Sequence, residues 1–285
     1  MTTSLADRLN HVWASLSFWL RQVLAIMRLE TKKSFVGRRL VAVYFLAFAP
    51  VALLVVRAIA PLDPHQLGTP GEAGMIFAVM FQTFVLRFSI FFGCMAIFTG
   101  LFRREVMERT LHFYLLSPVK REVLVVGKYA CGLVASITFF VGSTIACLLL
   151  VYLPYGGRFM EDFFMESTGM EHLVTYACVA AMACVGYGAV FLLVGLYFRN
   201  PIVPAGLLLG WETINFLLPS FLQKISVVHY LQSLCPVPLP PGPLAIITEP
   251  TSAWVSVPGF IGLTILVILA SAIQVRRLEV TYGTD

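Results

Sequence analysis

Charge is scarce in this sequence. Asp, Glu, Lys and Arg make up 12% of its 285 residues and apolar side chains 59%, whereas a soluble domain is about a quarter charged and about half apolar. With a mean hydropathy of +0.86, the chain has lipid as the solvent for much of its surface. That leaves no room for a large soluble catalytic domain. Reactive constellations are also missing. Cys94, Cys131, Cys147, Cys178 and Cys184 sit in apolar runs, only Cys235 sits in a loop, and no CxxC occurs. The six read as small hydrophobes rather than as a disulfide or metal framework. His11, His65, His112, His172 and His229 are scattered without metal-ligand spacing. The phosphate-cradling pattern GxxxxGK[ST] is absent too. These absences assign the chain no catalytic residue, no metal and no cofactor of its own.

Long apolar runs take their place. At roughly 20 residues per crossing, the chain suits an all-α polytopic membrane protein with six transmembrane helices. The expected spans are Leu40 to Ala60, Met75 to Phe102, Val123 to Leu153, Leu173 to Phe198, Ile202 to Leu218 and Val255 to Val275. The N-terminal segment is no signal peptide, because Arg21 cuts its apolar run and no small-x-small site follows. Val12, Leu16, Trp19, Val23 and Met27 recur at helical spacing opposite Arg21, Arg28 and Lys32. An amphipathic interfacial helix is expected there. PYGGRFMEDFFMESTGMEH reads as an acidic outside loop. The proline-rich stretch after the fifth span reads as a short external or re-entrant helix near Leu222 to Leu234, followed by a stiffened return.

Basic residues set the orientation. All but four of the 20 Lys and Arg fall in segments on one side; Arg57, Arg158 and Lys224 lie on the other and Arg87 within a span. Asp63, Glu72, Glu161, Asp162, Glu166, Glu171 and Glu249 share that other side. This asymmetry places both termini in the cytoplasm, and no basic, aromatic-interleaved soluble segment exists for nucleic acid.

The charges that remain concentrate in RREVMERTLHFYLLSPVKREVLVVGK, Arg103 to Lys128, between the second and third spans. Glu105 to Leu116 can form about three helical turns. Met107, Leu111 and Tyr114 fall on one face, and Glu105, Glu108, Arg109 and His112 on another. Such a helix either docks on a partner or is a solvated elbow. Glu105, Thr110, Leu111, Leu115, Pro118, Arg121, Gly127 and Lys128 resemble the E-x-x-x-G-T-L-x-x-L-L-x-x-P-x-x-R…G-K pattern of type-2 (exporter-class) ABC transporter permease subunits. Arg109 replaces the usual glycine, and His112 stands where an acid is frequent. The N-terminal RLETKKSFVGRRL and the six-span plan are similar to that family as well.

The resemblance implies a single transmembrane permease domain over residues 1–285. Residues 1–39 would form the cytoplasmic interfacial helix, 40–275 the six-helix membrane domain and 276–285 a cytoplasmic tail. It implies a cytoplasmic coupling helix that docks on a separate ATPase through Glu105, Glu108, Arg109, Phe113, Tyr114 and Leu115. Two ATPase subunits carrying ATP and Mg, a second permease copy or paralogue and membrane lipid would be the partners. The setting would be a bacterial inner membrane, and the chain would not be an enzyme by itself.

Arg87 and Glu212 lie about 22 Å and about 17 Å deep, counted at 1.5 Å per residue, so an intramembrane pair or an aqueous pathway is expected. A structural bridge and a pathway role both fit. The first would leave an ABC permease or a non-transporting anchor, the second also an ATP-independent secondary transporter or channel. Thr83, Arg87 and Cys94 share one helix face, and Phe77, Phe81, Phe84, Phe88 and Phe92 a stripe on another. Gly206 and Gly210, four apart, permit close helix packing, as do Ala180, Cys184 and Gly188.

Overall fold

A computed structural model describes residues 19, 21–28, 38–59, 68–107, 121–198, 200–214, 220–237 and 252–276. The described chain is helical throughout. Its helices are α1 (Arg38–Ile59), α2 (Pro70–Met80), a π-helical stretch (Phe81–Ile90), α3 (Phe91–Met107), α4 (Arg121–Tyr152), α5 (Gly157–Met165), α6 (Gly169–Tyr197), α7 (Ile202–Thr213), α8 (Ser220–Gln223), α9 (Val227–Ser233) and α10 (Ala253–Arg276). Five stretches are long and apolar enough to cross a membrane: Val41–Ile59, Pro70–Phe102, Val123–Tyr155, Gly169–Tyr197 and Trp254–Val275. The fold is that of a polytopic membrane protein.

The expected fifth span is shorter than its apolar run. α7 has 12 residues, about 18 Å at 1.5 Å per residue, against a hydrocarbon core of about 30 Å. Residues 215–219 lie outside the described part, and the chain continues in two short helices, α8 and α9, where one external helix is expected. The acidic loop also differs from expectation. Gly157–Met165 is helical, because Phe159 and Phe163 lie one turn apart and both rings close on Tyr152 (centroids 6.2 and 4.6 Å). Arg158, Glu161 and Asp162 stay exposed on the opposite side.

The second span begins at Pro70, five residues before its expected start. Thr69 and Glu72 form a capping box: the Thr69 N–H donates to Glu72 Oε2 (2.9 Å) and the Glu72 N–H to Thr69 Oγ1 (3.3 Å). The box satisfies donors a bare helix start leaves open. At Phe81 the span changes to i→i+5 hydrogen bonding for 10 residues. A π-helix turns less per residue than an α-helix, so a side-chain row that is straight on an α-helix drifts round it. The phenylalanine stripe accordingly splits. Phe77 and Phe81 are buried, each with its centroid 4.9 Å from that of Tyr176. Phe88 points outward, tilted against Phe84 (centroids 6.3 Å) and stacked on Phe92 (6.4 Å).

α6 is the hub, packing on α3, α4, α9 and α10. Of the most apolar window of each span, 61% is buried in α6 and 67% in the second span, but only 22% in α1 and in α10. The outer pair are therefore lipid-facing covers. Glycines set the spacing at the hub. A Cβ on Gly195 would stand 2.8 Å from the Cα of Thr99, and one on Gly188 would stand 2.6 Å from the Phe98 ring. Small residues permit this approach where lipid supplies no hydrophobic drive. Cross-helix hydrogen bonds add to it: Tyr129 donates to the Val185 carbonyl (2.7 Å), Gln82 Nε2 to the Val237 carbonyl (3.0 Å) and Ser143 to that of Ala47.

Gly195→Ala must push α3 and α6 apart, because the obstructing atom is backbone. The expected loss is about 1–3 kcal/mol, read as a lower melting temperature in detergent. Gly206→Ala, where a Cβ meets nothing within 4 Å, should melt like the unaltered protein.

His229, in α9 outside the five spans, has neither ring nitrogen hydrogen-bonded among the described residues. Burial first, and then Lys224, holds its imidazole below the ordinary range. Below about pH 6.5 the unfolded chain takes up a proton that the folded chain resists. This contribution is thus present above that pH and lost as the pH falls through it. Melting His229→Phe at pH 7, 6 and 5 should give a shallower decline than the unaltered protein shows.

Candidate functional site

Two places carry the polar chemistry. The first is the cytoplasmic end of the second and third spans. α3 runs on to Met107 and so includes Glu105, although that side chain is not described. Glu108, Arg109, Phe113, Tyr114 and Leu115 lie outside the described residues. What is described is the base of the hairpin. Gly127 gives room to the N-terminal helical residues 21–28: a Cβ there would stand 3.0 Å from Ile26. Lys128 is fully buried, donates from Nζ to the Leu101 carbonyl (3.0 Å) and lies 5.2 Å from the centre of the Phe102 ring. An ammonium bonded to a carbonyl near the end of α3 also complements the negative end of that helix. The Gly-Lys pair therefore fastens helices together, a role quite unlike the phosphate cradle of a nucleotide loop.

The second place is inside the membrane domain. Arg87 on the π-helical stretch and Glu212 near the end of α7 are both buried. Between them stands Tyr187 of α6, whose hydroxyl donates to Glu212 Oε2 at 2.7 Å. The backbone N–H groups of Val227 and Val228 also face this carboxylate. These are the first two residues of α9, whose N-cap Ser226 supplies no side-chain bond of its own. Glu212 thus stands before the first turn of a helix from another segment of chain, a favourable position for an anion.

Arg87 lies within electrostatic reach of Tyr187 and Glu212. No direct ion pair joins it to Glu212 among the described residues, and its Nε and Nη2 have no hydrogen-bond partner there. The structure thus brings the two charges to one cluster and interposes a phenol. Burying unpaired guanidinium N–H groups is costly, so this end of the cluster is poised to accept a water, a ligand or a moved carboxylate.

Sequence reasoning missed Tyr187, Trp211 and Ser226. A tyrosine in mid-span, one residue before Gly188 and far from either interface, was the available signal for the first. Nothing in the local pattern marks the other two. Gly206 and Gly210 face outward on α7 and meet no described part of the chain within 4 Å. Cys94 and Cys184 face each other across α3 and α6. Among the described residues no cluster of His, Cys, Asp or Glu could hold a metal.

The described architecture is that of an integral membrane protein with a buried polar cluster at its hub. The family model for ABC-2 family transporter proteins matches residues 28–215, and the chain belongs to that family. It is accordingly a permease component of an ABC transporter, and the family implies partnership with ABC ATPase subunits. No curated protein matches the chain.

Removing either half of the Tyr187–Glu212 bond leaves a buried group unsatisfied. Tyr187→Phe and Glu212→Gln should each cost about 1–3 kcal/mol. Together they should cost less than the sum, with a coupling of about 0.5–3 kcal/mol. Chemical unfolding in mild detergent measures the cycle; strict additivity would mean the bond contributes nothing.

Proposed function

We propose that this chain is one half of a homo- or heterodimeric permease, forming with its second half the membrane pathway for ATP-driven export. Two separate ATPase subunits, which carry ATP and Mg, would dock on the hairpin between the second and third spans. The observation that carries the reading is the family match over residues 28–215, which covers the charged hairpin and the Arg87–Glu212 cluster together. In this reading Glu105, Glu108 and Arg109 give register and partner choice, and Phe113, Tyr114 and Leu115 form the buried interface core. α7, its continuation and the short helices α8 and α9 make up the fifth crossing and its external return. The termini and the hairpin face the cytoplasm of a bacterial cell, on the positive-inside argument. Arg87 and its unpartnered nitrogens line or gate the pathway.

Purification in several mild detergents, followed by mass identification of co-purifying chains, should recover an ABC ATPase. Its absence in all of them would speak against the reading and leave an ATP-independent carrier or channel. With the ATPase in hand, Tyr114→Ala should weaken its binding about tenfold or more, as truncating an aromatic anchor does. Glu108→Lys should leave binding and hydrolysis largely in place and reduce transport. An alanine block over residues 105–116 that binds, hydrolyses and transports normally would show that the stretch is only an elbow.

A further inference from the structure

Beside Glu212 the helices leave a partly open cavity of about 190 Å³. α3 contributes Phe91 to its wall, α6 Tyr187, and α7 Leu208, Trp211 and Glu212, with Ser226 at the start of α9. An apolar cavity of ~150 Å³ stays dry and takes a benzene ring, so this one has room for roughly one or two fused rings. The approach to it is apolar as well. Ile225 lines the cavity and is itself exposed, as is Leu207, the neighbour of Leu208 on α7.

The polar groups of the wall leave a ligand little to bond. The Tyr187 hydroxyl is engaged by Glu212 Oε2 at 2.7 Å, and the Ser226 oxygen is fully covered by its surroundings. The buried Arg87 guanidinium lies within electrostatic reach of the Glu212 carboxylate. An incoming cation therefore meets an opposing charge behind the carboxylate, and an incoming anion meets the carboxylate itself. Neither sign finds a free partner, and burying a charge without one is costly.

What a ligand touches is carbon, much of it aromatic. Phe91 stands edge-on to Tyr187 and to Phe191 behind it (centroids 5.3 and 4.9 Å), and Trp211 adds an indole from α7. Rings gain from offset or edge-to-face partners beyond the area they bury. A flat unsaturated ring is therefore favoured here over a saturated one of similar size.

We propose that this cavity binds an uncharged aromatic group of roughly one or two rings, which makes neutral aromatic hydrophobes the substrate class of the pathway. The assignment as substrate rests on the permease reading, but binding does not require the ATPase. Failure of binding would leave the permease reading untouched, and failure of ATPase co-purification would leave the aromatic site standing.

The experiment places the full chain in phosphatidylcholine nanodiscs and measures uptake of radiolabelled naphthalene by equilibrium dialysis, with the uptake of empty nanodiscs subtracted. Naphthalene should bind saturably. Decalin, its saturated counterpart, should compete roughly two- to tenfold less well, by the loss of ring pairing. 2-tert-Butylnaphthalene and 2-(trimethylammonio)naphthalene share a shape and differ in charge. The cation should compete about tenfold or more below its neutral counterpart, and naphthalene-2-sulfonate should be as weak. Leu208→Phe fills the cavity and should abolish naphthalene binding, whereas Leu207→Phe adds the same bulk on the exposed face and should leave it unchanged. Trp211→Leu should weaken naphthalene and not decalin.

No saturable uptake above that of empty nanodiscs would overturn the proposal. Decalin competing as well as naphthalene would overturn it too, since the cavity would then accept any apolar group, lipid chains included. Equal competition by the neutral and cationic isosteres, or undiminished binding in Leu208→Phe, would do the same. Should Leu208→Phe fail to fold, decalin and the isosteres decide on the unaltered protein.

Discussion

A carboxylate in hydrocarbon has no water to accept from, and the membrane domain is arranged so that Glu212 needs none. The Tyr187 hydroxyl donates to it, and the N–H groups of Val227 and Val228 face it. They come from α6 and α9, while Glu212 itself is on α7, so a single charged group ties three segments that are far apart in sequence. α7 has 12 residues and α9 only seven, and neither is long enough to be stable alone. Both are fixed by what they touch. Burial of an ionisable group here costs several kcal/mol unless its partners are in place, so the cluster also specifies which arrangement of the short helices is tolerated.

Around that cluster, geometry does what the hydrophobic effect cannot. Between apolar helices in lipid, association rests on close packing and hydrogen bonds. The hub uses both. Gly188 and Gly195 on α6 take in Phe98 and the backbone at Thr99 of α3, and Tyr129 crosses from α4 to the Val185 carbonyl. The π-helical stretch works in the same direction. It carries Phe84 and Phe88 out of line with Phe77 and Phe81, so that Leu86 and Arg87 face inward beside Val85. A regular α-helix would align Phe88 with Phe81 at its two-turn spacing. The altered winding thus turns Arg87 inward, within electrostatic reach of Tyr187, and Phe88 outward.

The spans were legible because span-forming information is local and additive. Leu40 to Ala60 was expected and Arg38–Ile59 found; Val255 to Val275 was expected and Ala253–Arg276 found. Hydropathy also flagged Arg87 and Glu212, since a charge in an apolar run stands out whatever the fold. It could not say what surrounds them. The π-helical winding depends on tertiary packing, and no residue in FQTFVLRFSI announces it. The acidic segment 157–165 misled for a related reason. Its Gly-Gly start and its carboxylates look like a loop until Tyr152 supplies a surface for Phe159 and Phe163. Ser226 and Trp211 matter only through their position beside the Glu212 cavity, which exists when α7, α9 and the second span have assembled.

Lys128 links the two polar regions mechanically. Its ammonium is bonded to the Leu101 carbonyl of α3, while Gly127 beside it receives Ile26 of the N-terminal helical segment. The hairpin therefore hangs from two helices already fastened to each other at their base, with a third segment braced against them. A push on such a hairpin cannot be absorbed by splaying α3 from α4 without breaking a fully buried charge-assisted bond, which is among the stronger contacts available. It must instead move the pair together. α6 packs on both, at a glycine contact with α3 too tight to slide past without a clash. Motion of the pair is then motion of α6, and with it of Tyr187. The Tyr187 hydroxyl holds one side of the Glu212 carboxylate, so displacement of α6 loads the bond that keeps α7 and α9 in place. Stiffness at the base and polar contacts at the hub give the hairpin leverage on the cavity.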